Sequence, residues 1–271
     1  MRLLYEVAIS LVLTALRFMV TLSISFAAET LFHIGGLPVT NSLLMSWITM
    51  ALLITLGLLV SFKITPVPGK LQNVGEMVVD TAIGFFTDVM GSRREAEKVF
   101  PIVFTFFVFI MLSNWLGLLP GIGSIGFEGT HVVDGHEEAA FIPFFRSTYS
   151  DLNMTLALGL ISVTAVHVFG IATIGFFKHA GKFITFKDPI SFFVGLLELF
   201  SEVSKVLSFS FRLFGNIFAG EVLLVVILGL VPYVAPLPFF MLEVFVGFVQ
   251  ALVFSMLTLV FMKVAMAEAE H

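Results

Sequence analysis

Five long stretches of this chain are mostly apolar, and each is long enough to cross a lipid bilayer as a helix. The first three contain almost no charged residues, whereas charged residues interrupt the last two. A helix needs roughly 20 apolar residues to span about 30 Å of hydrocarbon. Charged residues make up 12% of the chain and hydrophobic residues 58%, whereas soluble domains carry about 25% charge. The sequence therefore predicts an all-α, polytopic membrane protein. The five stretches are residues 43–62, 99–119, 152–177, 189–231 and 239–262.

The fourth stretch is about twice as long as a membrane span. As a helix at 1.5 Å per residue, residues 189–231 would measure about 64 Å, so this helix must tilt strongly or bend. Pro232, Pro236 and Pro238 separate it from the fifth stretch, and proline clusters favour turns. We therefore expect one integral membrane domain, residues 43–271, that ends in a long tilted helical hairpin at residues 189–265.

The connecting segments differ in charge, which predicts their side of the membrane. Basic residues flank the link between the first two spans and fill the link after the third, at Lys63, Lys70, Arg93, Arg94, Lys98, Lys178, Lys182 and Lys187. Residues 120–151 are instead acidic. Because positively charged loops stay in the cytoplasm, the acidic segment should lie outside and the C-terminus inside. Apolar residues recur at helical spacing between positions 74 and 89, which predicts an amphipathic interfacial helix.

Residues 1–42 form an N-terminal segment and outer region, and the first part of this segment is ambiguous. Its apolar stretch is interrupted by Arg17, and residues 25–27, Ser-Phe-Ala, have the small-x-small pattern of a cleavage site. A cleavable signal, an interfacial helix and an additional span are all compatible with residues 1–28.

A stripe of polar residues crosses the fourth stretch. Glu198, Glu202, Lys205, Arg212 and Asn216 follow one another at spacings that lie on one face of a helix. Arg212 is the strongest constraint, because a central arginine costs about 2.5–3.5 kcal/mol on insertion scales and cannot lose its proton. It needs an anionic partner or a water-filled cavity, so the stripe predicts the wall of a wet path.

Two carboxylates are expected nearer the outer side. Glu221 lies about half a turn around the helix from Arg212, and Glu243 shares a face with Gln250 in the fifth stretch. Intramembrane ionisable residues usually mark ion pathways. The alternative is that Arg212 forms a purely structural ion pair with a glutamate of this chain.

Other polar residues have structural interpretations. Glu202 and Lys205 suit an interfacial ion pair as well as a pathway. His167 suits a hydrogen bond between packed helices better than proton transfer, and Asn114 and Asn153 suit the same interhelical role.

Several classes of protein are excluded or disfavoured. The chain has no cysteine, and a net charge of −5 argues against nucleic-acid binding. It carries no HExxH or GxxxxGK[ST] motif and no inverted repeat of the secondary-transporter kind. His131 and His136 stand in the acidic segment, but their irregular spacing favours a solvated loop over a metal site. We expect no cofactor, no metal and no catalytic residue.

Residues 208–221, SFSFRLFGNIFAGE, closely resemble a motif of the a subunits of F-type ATP synthases. Other segments resemble the same family: PGKLQN at 68–73, LSNWLGLLPG at 112–121, DLNMT at 151–155, FHIG at 32–35 and VTNS at 39–42. The resemblance runs from about residue 28 to the C-terminus. It implies a non-catalytic stator subunit with two ion half-channels that couple proton translocation to rotation.

The resemblance also implies roles for particular residues. The terminal hairpin would lie against a rotating ring of c subunits, each with a membrane carboxylate, and Arg212 would be the essential arginine that faces those carboxylates. The other positions that match the ion pathway are Asn216, Glu221 and Gln250, with Glu198 and Ser208 near the cytoplasmic access channel. Some relatives carry histidine where this chain has Glu243, so the outer half-channel would be purely acidic here.

The implied partners are the c ring, the peripheral stalk of b subunits and the remaining ATP synthase subunits, in the cytoplasmic (inner) membrane of a bacterium. Whether the ion is H⁺ or Na⁺ stays open, because selectivity would reside mainly in the ring carboxylate. Two alternatives remain. One is a self-contained channel or secondary transporter in which Arg212 binds an anionic substrate, and the other is a structural scaffold with a buried ion pair.

Overall fold

A computed structural model describes residues 28–61, 69–133, 136–181, 183, 189–231 and 234–267. The expectations for residues 1–27 lie outside this part of the chain. The helices are α1 (Asn41–Ser61), α2 (Lys70–Met90), α3 (Arg93–Gly117), α4 (Leu152–Ile174), α5 (Phe176–Gly181), α6 (Pro189–Leu230) and α7 (Pro236–Met266). Among the described residues, five helices (α1, α3, α4, α6 and α7) are long and apolar enough to cross a membrane. The prediction of an all-α protein with five spans is confirmed.

The last two helices form the predicted hairpin. Helix α6 has 42 residues and would measure about 63 Å. It can therefore lie in about 30 Å of hydrocarbon only if it tilts strongly or extends beyond it. Helix α7 begins at Pro236, where proline is tolerated because a first-turn N–H has no helical acceptor. The two helices pack against each other.

The predicted amphipathic helix is α2. Phe86 and Met90 are buried against α3 and α7, whereas Val74 and Met77 on the same helix are exposed. Gly91 ends the helix in the left-handed region at φ +80°, and Lys263 Nζ of α7 donates a hydrogen bond to Val89 O at 2.7 Å. A cation at the last carbonyls of a helix also complements the helix dipole, so α7 holds the C-terminal end of α2.

Two β-hairpins lie in the outer segments, where the sequence analysis predicted no strands. Strands β1 (Thr30–Ile34) and β2 (Leu37–Thr40) pair antiparallel, as do β3 (Gly126–Val133) and β4 (His136–Pro143). The first turn uses Gly35 and Gly36 at φ +57° and +88°, which two-residue hairpin turns require. The acidic segment therefore contains paired strands and is not a simple loop.

The bundle has two recognisable ends. One end, named here the hairpin end, carries the two β-hairpins. There, Asn41 Nδ2 at the start of α1 lies 3.4 Å from Pro143 O of β4, and Ser42 Oγ donates to Asp151 Oδ2 at 3.0 Å. The opposite end, named here the α2 end, carries α2 and α5. One cluster of buried side chains joins α2, α3, α4 and α7 near this end. A second cluster packs α6 against α3, α4 and α7 through Phe209, Leu213 and Ile217.

A close approach of α4 and α6 determines how α6 is rotated. A Cβ atom at Gly159 would lie 2.6 Å from Ser210 Oγ and 3.1 Å from Val206 O. Ser210 Oγ is itself 3.0 Å from Thr155 O, within hydrogen-bond reach across the two helices. Small residues allow such contacts between membrane helices. Because this face of α6 is buried on α4, the face with Arg212 points away from the bundle.

Candidate functional site

Arg212 lies near the middle of α6, on a face that the described part of the chain leaves exposed. Its Nη2 atom is 3.4 Å from Ser208 Oγ, one turn earlier, and the neighbouring Phe211 is 54% exposed. Among the described residues, no carboxylate forms an ion pair with Arg212. The interpretation of Arg212 as half of an intrachain ion pair is therefore wrong for this part of the chain. A permanent cation in an apolar surface requires a partner that brings an anion or water.

The remaining pathway candidates on α6 and α7 differ in burial. Glu198 and Ser208 are exposed, like Arg212, and stand on the half of α6 nearer the α2 end. Asn216 and Gln250 are half-buried, on α6 and α7 respectively. The structure thus brings Ser208 into contact with Arg212, whereas Glu198 lies well over three turns away along the helix.

The polar stripe predicted on α6 divides into two parts. Glu202 and Lys205 turn onto the bundle, where Lys205 Nζ lies 2.6 Å from Glu202 Oε1. The predicted Glu202–Lys205 pair is therefore confirmed. His167 of α4 contacts Glu202 from the other side, and its Nδ1 atom shares a hydrogen bond of 3.1 Å with Nε2 of His179. The expectation that His167 bonds between helices is also confirmed.

At the hairpin end, Glu243 occupies a space that glycine leaves free. Its side chain is 7% exposed, and its carboxylate contacts Gly220 where a Cβ atom would stand. Gly220 directly precedes Glu221, so the structure places Glu221 and Glu243 at the same level of the terminal hairpin.

Glu221 faces a cation. Its Oε1 atom lies 3.9 Å from Nε of Arg146, whose side chain is 9% exposed against 35% for Glu221. The same Nε atom donates to Ser150 Oγ at 3.0 Å. The expectation of a purely acidic outer site is therefore wrong, because Arg146 from the segment before α4 stands beside Glu221. The signal available in the sequence was a single arginine in an acidic segment, directly before a membrane span.

Buried polar atoms without a well-formed hydrogen bond to the described residues surround this region. They are Ser113 Oγ, Asn114 Oδ1, Thr148 Oγ1, Tyr149 OH and Glu221 Oε2. Buried polar groups are normally hydrogen-bonded to protein or to ordered water, so this region suits a chain of water molecules. Burial raises the pKa of the Tyr149 phenol, which keeps it neutral and able to donate a proton to a hydrogen bond. Sequence reasoning missed Ser113, Thr148 and Tyr149.

The two asparagines predicted to join helices behave differently. Asn114 Nδ2 donates to Gly247 O at 3.1 Å and so links α3 to α7. The side chain of Asn153 is exposed and makes no hydrogen bond with the described residues. Its backbone N–H instead donates to Asp151 Oδ1 at 2.9 Å, at the N-terminus of α4. The prediction is confirmed for Asn114 and wrong for Asn153.

Comparison with known families decides which protein family has this arrangement. The family model of the ATP synthase A chain matches residues 43–263, which include all seven candidate pathway residues. The chain belongs to this family. The ATP synthase A chain match includes most or all of each of the five spans and the whole of α2, so one family accounts for both the fold and the candidate pathway residues.

Individual relatives agree with the assignment to the ATP synthase A chain family. A Campylobacter jejuni protein named ATP synthase subunit a is 37% identical over 199 residues, which are 72% of this chain and 76% of the relative. ATP synthase subunit a 3 of Pelobacter propionicus is 33% identical over 226 residues, 83% of this chain and 86% of the relative. ATP synthase subunit a of Desulfotalea psychrophila is 36% identical over 230 residues, 83% of each chain.

Proposed function

We propose that the protein is the stator subunit of the membrane sector of an F-type ATP synthase, where it couples ion translocation to rotation of a c ring. The observation that carries this proposal is Arg212, an unpaired cation among the described residues on an uncovered apolar face of α6. A ring of subunits with membrane carboxylates supplies the anion that this face lacks. Membership of the ATP synthase A chain family supports the same partner.

The mechanism uses two half-channels that do not meet. At the hairpin end, Glu221, Glu243 and the buried polar atoms around them form the wet route from outside. At the α2 end, Glu198 and Ser208 border the route to the cytoplasm, and Asn216 and Gln250 line the region between. A ring carboxylate that is protonated from one side enters lipid as a neutral group and rotates until it meets the other side.

Arg212 separates the two half-channels. It attracts the ionised ring carboxylate and prevents a proton from passing directly between the two routes, since a guanidinium does not release its own proton. Each charge that crosses supplies about 2.3 kcal/mol per 100 mV. Several crossings are therefore needed for each ATP, which a ring of many carboxylates provides.

The remaining assignments follow from charge and from the family. The basic links support a cytoplasmic location for the α2 end and the C-terminus, and the bacterial relatives support the cytoplasmic membrane of a bacterium as the site of the subunit. Within the part of the chain that the structure describes, the buried residues of helix α1 all lie in its first half, which leaves a long apolar surface for further subunits such as the peripheral stalk of b subunits. This subunit carries ions, and ATP chemistry takes place in other subunits.

Co-purification and ion pumping test the proposal together. The subunit should purify with a c ring, and vesicles with the whole complex should acidify on addition of ATP. Vesicles with this chain alone should show no ion flux. Saturable flux of an anion through the isolated chain, without any associated ring, would instead support a transporter in which Arg212 binds substrate.

A further inference from the structure

A chain of titratable side chains crosses three helices at the α2 end, outside the pathway described above. His179 of α5 shares a hydrogen bond of 3.1 Å with His167 of α4. His167 Nε2 lies 3.5 Å from Glu202 Oε2 of α6, and Glu202 Oε1 lies 2.6 Å from Lys205 Nζ. Two imidazoles, a carboxylate and an ammonium are thus in continuous contact.

These titratable side chains differ in how exposed they are. The side chain of His167 is 29% exposed and that of Glu202 is 12% exposed, so His167 is the more accessible of the two. Apolar rings enclose the rest: Phe183 contacts both imidazoles edge-on, and Lys205 Nζ lies 4.7 Å from the centre of the Phe261 ring.

The position of His179 is built into the helix packing. A Cβ atom at Gly170 would lie 2.7 Å from Cε1 of His179, so only glycine leaves room for this imidazole. With Nδ1 of His167 bonded to His179, Nε2 is the nitrogen that exchanges protons with Glu202 or with water. Glu202 Oε2 has no well-formed hydrogen bond with the described residues and is a ready acceptor.

Few other titratable or charged groups of the described residues contact His167 and Glu202. Among the described contacts, α5 contributes His179, α6 contributes Lys205, and α7 contributes the aromatic ring of Phe261. Glu198 stands one helical turn before Glu202 on α6, on the side of the inner half-channel. A proton at Glu202 is therefore one turn from the proposed cytoplasmic route.

We propose that His167 and Glu202 form a proton-exchange pair that connects the cytoplasm with the inner half-channel, and that His179 is the positioning residue that orients the His167 ring. During ATP-driven pumping, Nε2 of His167 takes a proton from water and passes it to Oε2 of Glu202; only N–H and O–H bonds form and break. During synthesis the proton moves the other way. This inference rests on the proposed function, because it requires an ion route along α6.

The test uses the intact complex in inside-out membrane vesicles, whose outer surface is the cytoplasmic one. His167→Gln and Glu202→Gln keep a hydrogen-bonding side chain of similar size, but an amide does not exchange protons as an acid or base near neutral pH. The initial rate of ATP-driven acidification should fall roughly tenfold in dilute buffer, since positioned proton transfer contributes at least that much. A high concentration of a membrane-impermeant buffer outside should restore most of the rate, because the buffer delivers protons directly.

The matched controls are one His→Gln and one Glu→Gln substitution outside the cluster. His33→Gln in β1 and Glu76→Gln in α2 alter exposed residues on elements that contribute no side chain to the cluster, and both should pump at the parental rate in either buffer. Glu202→Gln is nearly isosteric, so it decides the test if His167→Gln does not assemble. Parental rates for both cluster variants in dilute buffer would overturn the proposal. A loss that added buffer does not relieve would also overturn it, because it would mean a purely structural role.

The parental complex separates this inference from the proposed function. If parental vesicles pump and Arg212→Ala vesicles do not, the stator assignment stands and only the proton-exchange pair is under test. If the parental chain neither joins a ring nor pumps, the proposed function itself fails.

Discussion

The carboxylate of Glu243 fills the space beside the Cα atom of Gly220, where any side chain at position 220 would place its first carbon. Glycine at this position therefore allows an acidic group of α7 to lie directly against α6. The contact brings Glu243 beside the residue that precedes Glu221, so two carboxylates from different helices meet at one level of the hairpin.

Gly220→Ala should displace the Glu243 carboxylate and slow proton pumping, although alanine favours helix by about 0.5–1 kcal/mol over glycine. The matched control is Gly57→Ala in α1, where a new Cβ atom meets nothing within 4 Å. ATP-driven acidification by assembled complexes measures both. Equal rates for the two variants would show that the position of Glu243 does not matter.

Arg146 and Glu221 should depend on each other for stability. Arg146→Gln and Glu221→Gln should each lower the temperature at which the subunit is lost from the complex, because each removes one side of the contact between these two charges. The double variant should lose less stability than the sum of the two single losses, and the difference should correspond to a coupling free energy of roughly 0.5–3 kcal/mol. Additive losses in heat-stability measurements would argue that the 3.9 Å contact has no energetic role. Arg146→Lys, which keeps the charge, is the control.

Glu221 and Glu243 should both contribute to proton transfer through the outer half-channel. Glu221→Gln should slow translocation strongly, and the double change to Gln should be worse than either single change. Glu243→His should be tolerated, because imidazole also exchanges protons near neutral pH. Proton-driven ATP synthesis, measured across the range from mildly acidic to mildly alkaline pH, checks the series. A double variant that matches the parent throughout would remove these residues from the pathway.

Arg212 should not be replaceable by another cation. Arg212→Ala should assemble but lose coupled ATP synthesis, with passive proton leak through the membrane sector. Arg212→Lys should also fail, since an ammonium is more strongly hydrated and lacks the planar guanidinium fork. Assembly by co-purification and synthesis by luminescence are measured on the same membranes. Normal coupled synthesis by Arg212→Lys would refute the requirement for guanidinium geometry.

Local patterns in the sequence predicted much of the fold. Five apolar stretches became five helices, and the prolines near position 236 mark the turn between α6 and α7. The amphipathic pattern of α2 also corresponds to a helix. These features were predictable because length, hydropathy and helical spacing are properties of neighbouring residues. The β-hairpins were not predicted, since strands of four to eight residues carry a much weaker local signal.

Contacts between distant residues account for what the sequence did not predict. Spacing alone put Glu202 and Lys205 on one stripe with Arg212, but the packing of α6 on α4 turns that pair inward and leaves Arg212 uncovered. The partner of Glu221, Arg146, comes from a segment 75 positions earlier in the chain.

The sequence by itself determined that this chain spans a membrane, ends in an unusually long helical hairpin and carries a permanent cation in the middle of it. Only the tertiary structure decided that Arg212 has no carboxylate partner among the described residues, that Arg146 lies beside Glu221, and that His167 meets Glu202. The physical reason is that the free energy of membrane insertion is a sum over local side chains, whereas the rotation of each packed helix depends on small residues such as Gly159 and Gly220 against their distant partners.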